Sequence, residues 1–414
     1  MHSVGELDKH SIGALFESPE PVPPEGVARA AKIIAGGKLF RYSAHDPETS
    51  EVALLERDFA GFIGAKYALG LNSCSSAILL ALRILGAKWG SKILVPAFTF
   101  TAVPSAIVNV GASPVVVETN ADYRMDVDDL RRKIDGDTKL LLLSHMRGQI
   151  SDLDAIRAIC QEHGIAIVED AAHGLGAIWD GKPVGSFGQV ACFSFQSNKI
   201  VNAGEGGMLT TNDPRLMAVA IISSGAYERL CERHFWNAEL SESFHHYRKL
   251  LPLYNMRMTE YQAAIVRAQI PNIAEKSKVF RANYNYLAGR LAASPRVQLP
   301  AEDPRELRAP DSIQFRLVGF NERQMVRVMQ LVRDTGLPLS AIGADKDNAR
   351  VPWNWNYIGA AQEFSETRRH LLGACDIRLP STLLREHLDY LADAVLGAVR
   401  KVEDEAVGTS GAAG

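Results

Sequence analysis

An α/β fold is predicted: a large domain on a central, mainly parallel, mixed sheet of seven strands flanked by helices, then a smaller C-terminal α+β domain. Three observations carry the prediction. Between residues 50 and 215 seven short apolar runs recur: "KYALGL", "SKILVP", "ASPVVVET", "TKLLLLSH", "GIAIVED", "QVACFSF" and "GGMLTT". They show little polar alternation, which fits strands buried on both faces of a largely parallel sheet. Helix-period segments such as "SSAILLALRIL" and "DLDAIRAICQEHG" separate several of them, as crossovers between parallel strands require. After Pro271 the pattern changes to long helices alternating with short extended pieces.

Residues 1–48 read as an N-terminal arm, with prolines at 19, 21, 23 and 24 before a helical "EGVARAAKIIAGG" expected to pack against one of the two domains. Residues 49–270 hold the large domain and its apolar runs. Residues 271–405 are expected to form the small domain: a helix "EKSKVFRANYNYLAGRLAA", a Pro-rich loop, a strand-like "SIQFRLVGF" and a final helix. In that last helix Leu388, Leu391, Val395, Leu396 and Val399 have the spacing of one buried stripe. The closing stretch 406–414, ending "VGTSGAAG", offers little to pack and is expected to be disordered.

A chain of 414 residues can bury a large core without disulfides or metals. Its net charge of -3 is spread over interleaved acids and bases, so no basic footprint for nucleic acid or an anionic membrane is present. A small-molecule or protein partner is expected instead. Cys74, Cys160, Cys192, Cys231 and Cys375 are scattered, without the close pairs of thiolate metal sites or redox motifs, which fits a reducing compartment. No apolar run approaches the ~18 residues of a membrane span, and no basic segment followed by an apolar one opens the chain. The cytoplasm is the expected location.

Ligands of open α/β sheets sit beyond the carboxyl ends of the strands, so the residues after each apolar run are the ones to inspect. "NSCSSAI" opens a helix with small polar residues. Its first amides suit a phosphate, although the same pattern also makes an ordinary N-cap by Asn72 or Ser73. "GIAIVED" puts Asp170 at a strand end, where a buried carboxylate needs a cation or donors. That need is met by a helix cap, a structural ion pair or a cationic ring nitrogen of a ligand. His173 lies three residues on, placed to touch the same ligand or to serve the structure. Lys199 stands between Ser194 and a loop containing Gly204, Gly206 and Gly207. An ammonium held there loses hydration, which lowers its pKa and makes the nucleophilic amine accessible; on its own it also reads as a turn lysine. One cofactor, pyridoxal 5'-phosphate (PLP), accounts for all of these together. The helix start and Ser194 take the phosphate, Asp170 keeps the ring nitrogen protonated, and Lys199 binds the aldehyde.

Longer motifs strengthen this reading. "VPAFTFTAVPSAIVNVGASPVVVE", "VEDAAHGLGAIWDGKPVGSFGQVACFSF", "GEGGMLTTND" and "NMRMTEYQAAI" occur in order, and with them the chain resembles fold-type-I PLP enzymes, specifically the DegT/StrS-like sugar aminotransferase family. The resemblance implies that Lys199 is the cofactor-binding lysine and Asp170 the partner of the ring nitrogen. It places Phe100 on the cofactor face and His173 near the ring hydroxyl; the alternative for Phe100 is plain core. It puts the phosphate on the amides around Cys74 and Ser75 and on the Ser194 hydroxyl. Asn255 matches an asparagine that reaches the neighbouring subunit's phosphate, so a homodimer with shared active sites is implied. Family members that act as sugar dehydratases carry histidine where this chain has Lys199, which places the chain on the aminotransferase branch. The implied reaction has two halves. An amino acid donor such as glutamate or glutamine converts the cofactor to pyridoxamine 5'-phosphate, and a keto group of a sugar, cyclitol or related intermediate then takes the amine.

Three departures bear on the substrate. Arg147 in "SHMRGQISDLDAI" stands where the family commonly has an aromatic; it either clamps a carboxylate or phosphate or points to solvent. The stretch from "GAYERL" to "PLYN" looks longer than the family's loop and is expected to cover the acceptor pocket. "VPWNWNYIG" replaces a more usual pocket stretch. Two alternatives stay open: another PLP reaction on this scaffold (elimination, decarboxylation or oxidation), or a non-catalytic PLP-binding regulator.

Overall fold

The computed structural model describes residues 8–235, 237–359 and 362–411. The chain opens with α1 (Lys9–Glu17) and α2 (Pro24–Gly36), followed by α3 (Glu51–Ile63). The seven apolar runs then become β1 (Tyr67–Leu71), β2 (Lys92–Pro96), β3 (Ser113–Val117), β4 (Thr138–Ser144), β5 (Ala166–Asp170) and, after a short ribbon of β6 (Ile178–Trp179) and β7 (Lys182–Pro183), β8 (Val190–Ser194) and β9 (Gly207–Thr211). They form one sheet in the order β1-β9-β8-β5-β4-β2-β3. β9 is antiparallel to both neighbours and the remaining pairings are parallel. Six strands therefore aim their carboxyl ends at one edge, and β9 begins there.

Both faces of this sheet are covered, which is why its strands read as continuous apolar runs. Within β4, Leu141 and Leu143 enter one apolar cluster while Leu140 and Leu142 enter another, the two-residue alternation of a strand. Helices α4 (Cys74–Ile84) and α5 (Ala102–Asn109) share the second cluster with α8 (Pro214–Gly225) and α9 (Ala238–Tyr247). The first cluster is closed by α3, α6 (Val127–Lys133), α7 (Leu153–Glu162) and α10 (Glu260–Arg267).

From α11 (Ile273–Leu291) onward the chain builds a second, antiparallel sheet in the order β10-β12-β14-β13, from β10 (Val297–Gln298), β12 (Ser312–Leu317), β13 (Ser340–Ala341) and β14 (Ala374–Arg378). β11 (Glu306–Leu307) returns to pair with β6 of the large unit. Helices α12 (Glu322–Arg333) and α14 (Arg385–Gly411) pack here, with α13 (Ser365–Leu371) between them in sequence. Leu388, Leu391, Val395, Leu396 and Val399 of α14 are all buried, as their spacing requires. The N-terminal arm divides its contacts: Ile12 and Phe16 of α1 join the core of this second sheet, whereas α2 lies along α10.

The disorder expected from residue 406 does not begin there, because α14 continues to Gly411. Extending an existing helix gains one hydrogen bond per residue, and Glu405, just before this extension, is held by Arg327 of α12 at 3.2 Å. Residues 412–414 lie outside the described residues.

Candidate active site

The shared edge of the large sheet collects the segments that follow β1, β2, β4, β5 and β8. A cleft of about 710 Å3 opens there, walled on the other side by the second sheet. Cys74, Ser75, Phe100, Arg147, Asp170, His173, Ser194 and Lys199 all line it. Residues scattered over more than a hundred positions thus meet because parallel strands end together.

Strand register sets the floor. Ser144 of β4 lies beside Asp170 of β5, and its hydroxyl donates to Asp170 Oδ2 at 2.8 Å. Asp170 Oδ1 accepts from the Ala172 amide at 3.2 Å and from Cys74 Sγ at 3.9 Å. The carboxylate is only 6% exposed, and among the described residues no lysine, arginine or histidine pairs with it. Three neutral donors orient this charge without neutralising it, which leaves the site short of one cation.

Gly207 opens β9 opposite both Leu71 and Ser194. A Cβ there would come within 2.4–2.5 Å of the Ser73 carbonyl and the Cys74 nitrogen, so only glycine lets α4 start so near the sheet edge. Ser73 caps α4 by accepting from the Ser76 amide at 3.1 Å. Cys74 and Ser75, whose first-turn amides have no intrahelical acceptor, line the cleft. Ser194 sits at the end of β8, its Oγ accepting from the Gln196 amide at 3.3 Å. Phe100 is 50% exposed. An aromatic ring left in a cleft rather than packed in the core excludes the plain-core reading for this residue.

Lys199 Nζ lies 2.6 Å from His173 Nε2, and His173 Nδ1 lies 3.2 Å from Asp311 Oδ2. Burial and the facing Lys199 lower the pKa of His173 to about 4. Asp311 is held well below the usual carboxylate range, against its burial, by His173 first and by Arg147 and Lys199 after it. A neutral imidazole between an ionised carboxylate and a lysine carries its proton on Nδ1, donating to Asp311, and offers Nε2 to the lysine. Burial lowers the Lys199 pKa to about 8; Arg147 acts in the same direction, and Asp311, Asp170 and Cys74 oppose both. The amine form is therefore within reach near neutral pH.

Replacing Asp311 with asparagine removes the strongest of the influences that hold the Lys199 pKa up. In the cofactor-free protein the midpoint of Lys199 deprotonation is then expected below about 8. The pH dependence of its reductive methylation reads this directly. A midpoint that stays in place would show that Asp311 does not act on the lysine.

Arg147 does not point to solvent. It sits in the left-handed region at φ 57, in the turn after β4, and its Nη2 donates to Asp376 Oδ2 of β14 at 2.7 Å. Two other segments weighed for the substrate side pack elsewhere in this chain. Among its described residues, the stretch from 225 to 255 contributes none to the cleft lining. Its helix α9 instead packs Leu240 and Phe244 into the large-sheet core against α8, and His234 is buried against Glu56, Arg41 and Tyr42. Apolar residues on one face of α9 made that burial more favourable than a lid over a polar cleft. The segment "VPWNWNYIG" does not line the cleft either; Val351 packs with Phe98, Tyr123 and Met146, and Tyr357 bonds Thr101 at the start of α5. Asn255 is exposed and outside the lining, next to the bridge that joins Leu71 to Arg257.

Ser144, Asp311, Arg350, Asp376 and Arg378 belong to the site and were not singled out from the sequence. Ser144 had a usable signal, as the last residue of an apolar run. The others come from the second sheet and its loops, where no strand-end rule points to a site in a different sheet.

The DegT/DnrJ/EryC1/StrS aminotransferase family profile matches residues 45–392. The 3-amino-5-hydroxybenzoate synthase of Amycolatopsis mediterranei is 31% identical over 76% of this chain and 78% of its own length. Other curated relatives align over only 58% and 56% of their lengths. Among solved structures, a 3-amino-5-hydroxybenzoic acid synthase superposes with a TM-score of 0.78 at 26% identity, covering 93% of this chain and all of the other. The PLP form of a putative sugar aminotransferase from Streptococcus pneumoniae gives 0.79 at 21% identity over 93% and 98% of the two chains, a likeness of fold. With the profile spanning most of its length, the chain belongs to the DegT/DnrJ/EryC1/StrS aminotransferase family.

Proposed function

We propose that the protein is a PLP-dependent aminotransferase that moves an amino group from an amino acid donor to a keto group of a sugar, cyclitol or related biosynthetic intermediate. One observation carries the reading: a buried carboxylate without a cation, Asp170, shares a cleft with a lysine whose pKa is lowered to about 8. PLP fits that pairing, since it brings a ring nitrogen that becomes cationic beside a carboxylate and an aldehyde for the amine. Once bound, it supplies an electron sink for the carbon that gains or loses the amine.

The chain's own residues divide the remaining work. The amides at the start of α4 and the Ser194 hydroxyl would hold the phosphate, Asp170 would keep the ring nitrogen protonated, and Phe100 would lie against the ring. Lys199 would bind the aldehyde and, as a free amine, carry the proton to and from the substrate carbon. His173, kept neutral and oriented by Asp311, would present its Nε2 acceptor to the ring hydroxyl. Asn255 serves a second copy of the chain in a homodimer. Exposed apolar residues around it, Leu250, Leu253 and Tyr254, suit coverage by that copy. No helix among the described residues is long and apolar enough to cross a membrane.

The test is spectroscopic. Protein loaded with PLP is expected to lose its yellow lysine-bound absorbance on addition of glutamate or glutamine as the cofactor takes the amine, and to regain it with a keto acceptor. Loss of neither colour nor cofactor with any amino donor would overturn the assignment.

A further inference from the structure

The cleft is lined by Arg147 from the turn after β4 and, on the second-sheet side, by Arg350 and Arg378. Asp376 cannot neutralise all three. Its Oδ2 accepts from both Arg147 and Arg350, and its Oδ1 accepts from Gln314 Nε2 at 2.8 Å. Arg378, two residues along β14 and so on the same face as Asp376, donates among the described residues to neutral acceptors, the carbonyls of Glu17 and Ser18 at 3.0 and 3.2 Å. Asp311, the other buried acid nearby, is engaged by His173 and by the Ser312 hydroxyl. The remaining carboxylates of the lining, Asp170, Glu205, Asp345 and Asp347, form no ion pair with these arginines among the described residues. Among the described residues Arg378 has no carboxylate hydrogen-bond partner, although it lines the cleft. A wall with three guanidinium groups and one carboxylate bound to them is built for an anion.

Its position says which anion. Arg147 lines the same cleft as Lys199, in the turn that follows β4 beside the strand of Asp170, so the bound anion sits close to the carbon on which the lysine acts. A carboxylate attached to, or one or two bonds from, the reacting carbon meets that requirement. The diphosphate of a nucleotide sugar lies farther from its keto carbon.

We infer that Arg147, Arg378 and Arg350 form a carboxylate subsite, and that the keto acceptor is itself an acid, a ring or chain compound bearing a carboxylate near its carbonyl. This rests on the aminotransferase reading above. Both half-reactions use one cleft, and every amino acid donor brings a carboxylate to it. When the donor's keto product leaves, Asp376 alone again faces the three guanidinium groups, and a neutral acceptor would bury Arg378 without an ionic partner. An acidic acceptor restores the pairing. The balance is a plain exchange: the donor's C–N bond is replaced by C=O, the acceptor's C=O becomes C–NH2, and no external oxidant or reductant enters. Arg147 stands where the family commonly has an aromatic, so this preference distinguishes the chain within its family.

The experiment is calorimetric binding to the pyridoxamine-phosphate-loaded protein, using 3-oxocyclohexanecarboxylate and its neutral carboxamide as probes. The carboxylate is expected to bind at least roughly 10-fold tighter, the value of one hydrogen bond between charged groups. Arg147→Gln and Arg378→Gln should each remove roughly 10-fold of that preference while carboxamide binding stays level. Equal binding of the two probes to the wild-type protein overturns the subsite, as does a loss in the variants that is the same for both probes. Because Arg147 occupies a left-handed turn, Arg378→Gln provides the independent variant, in a regular strand. Binding is read without turnover, so the subsite fails by indifference to charge, whereas the aminotransferase reading fails by absence of cofactor conversion with an amino donor.

Discussion

Lys199→Ala is expected to lower amino transfer by about 10^4-fold, the upper end of what a positioned acid–base group supplies, while leaving the fold intact. Two roles disappear together, since one amine both binds the aldehyde and moves the proton. The lysine is half-buried in a loop after β8, and its side chain makes a single hydrogen bond, to His173, so its removal leaves no cavity in either core. Single-turnover conversion of the cofactor by glutamate measures the loss, and an unchanged thermal midpoint of the cofactor-free protein verifies the fold. Activity within tenfold of wild type would move the proton transfer to another base, with His173 the nearest.

Asp170→Asn keeps the shape and the Ser144 contact but removes the charge. With PLP bound, a buried ion pair would be broken, at a cost of about 3–5 kcal/mol, which corresponds to a rate loss of roughly 150- to 5,000-fold if it falls on the transition state. Without PLP the sign reverses. The carboxylate is then buried with neutral donors and no cation, and asparagine relieves that desolvation, so the cofactor-free variant is expected to melt higher than wild type. Opposite signs in the two states separate a cofactor role from a structural one. A variant that melts lower in both states would show Asp170 to be a structural cap.

Asp170 also illustrates why so much of this site was legible. Parallel strands need crossover helices, crossovers return each strand end to the same edge, and chemistry placed just after an apolar run therefore lands beside chemistry placed after another. Asn72 to Ser75, Asp170, His173, Ser194 and Lys199 each follow such a run, and the cleft gathers Cys74, Ser75, Asp170, His173, Ser194 and Lys199. The lid expected between residues 225 and 255 shows the limit of the same reasoning. Its aromatics and histidines look like pocket residues in one dimension, yet Leu240 and Phe244 sit four apart on a helix and pack against α8.

Strand periodicity and the order of residues around Lys199 were enough to determine the α/β class and to bring Asp170, His173, Ser194 and Lys199 to one edge, because these depend on local spacing and on one sheet. The arginine-bearing half of the cleft was decided by long-range placement. Asp311 reaches His173 across 138 positions, and Arg147 reaches Asp376 across 229. Both contacts exist because the second sheet docks over the strand ends of the first, and the apolar burial that drives such docking carries no local signature of which charged groups it will bring together.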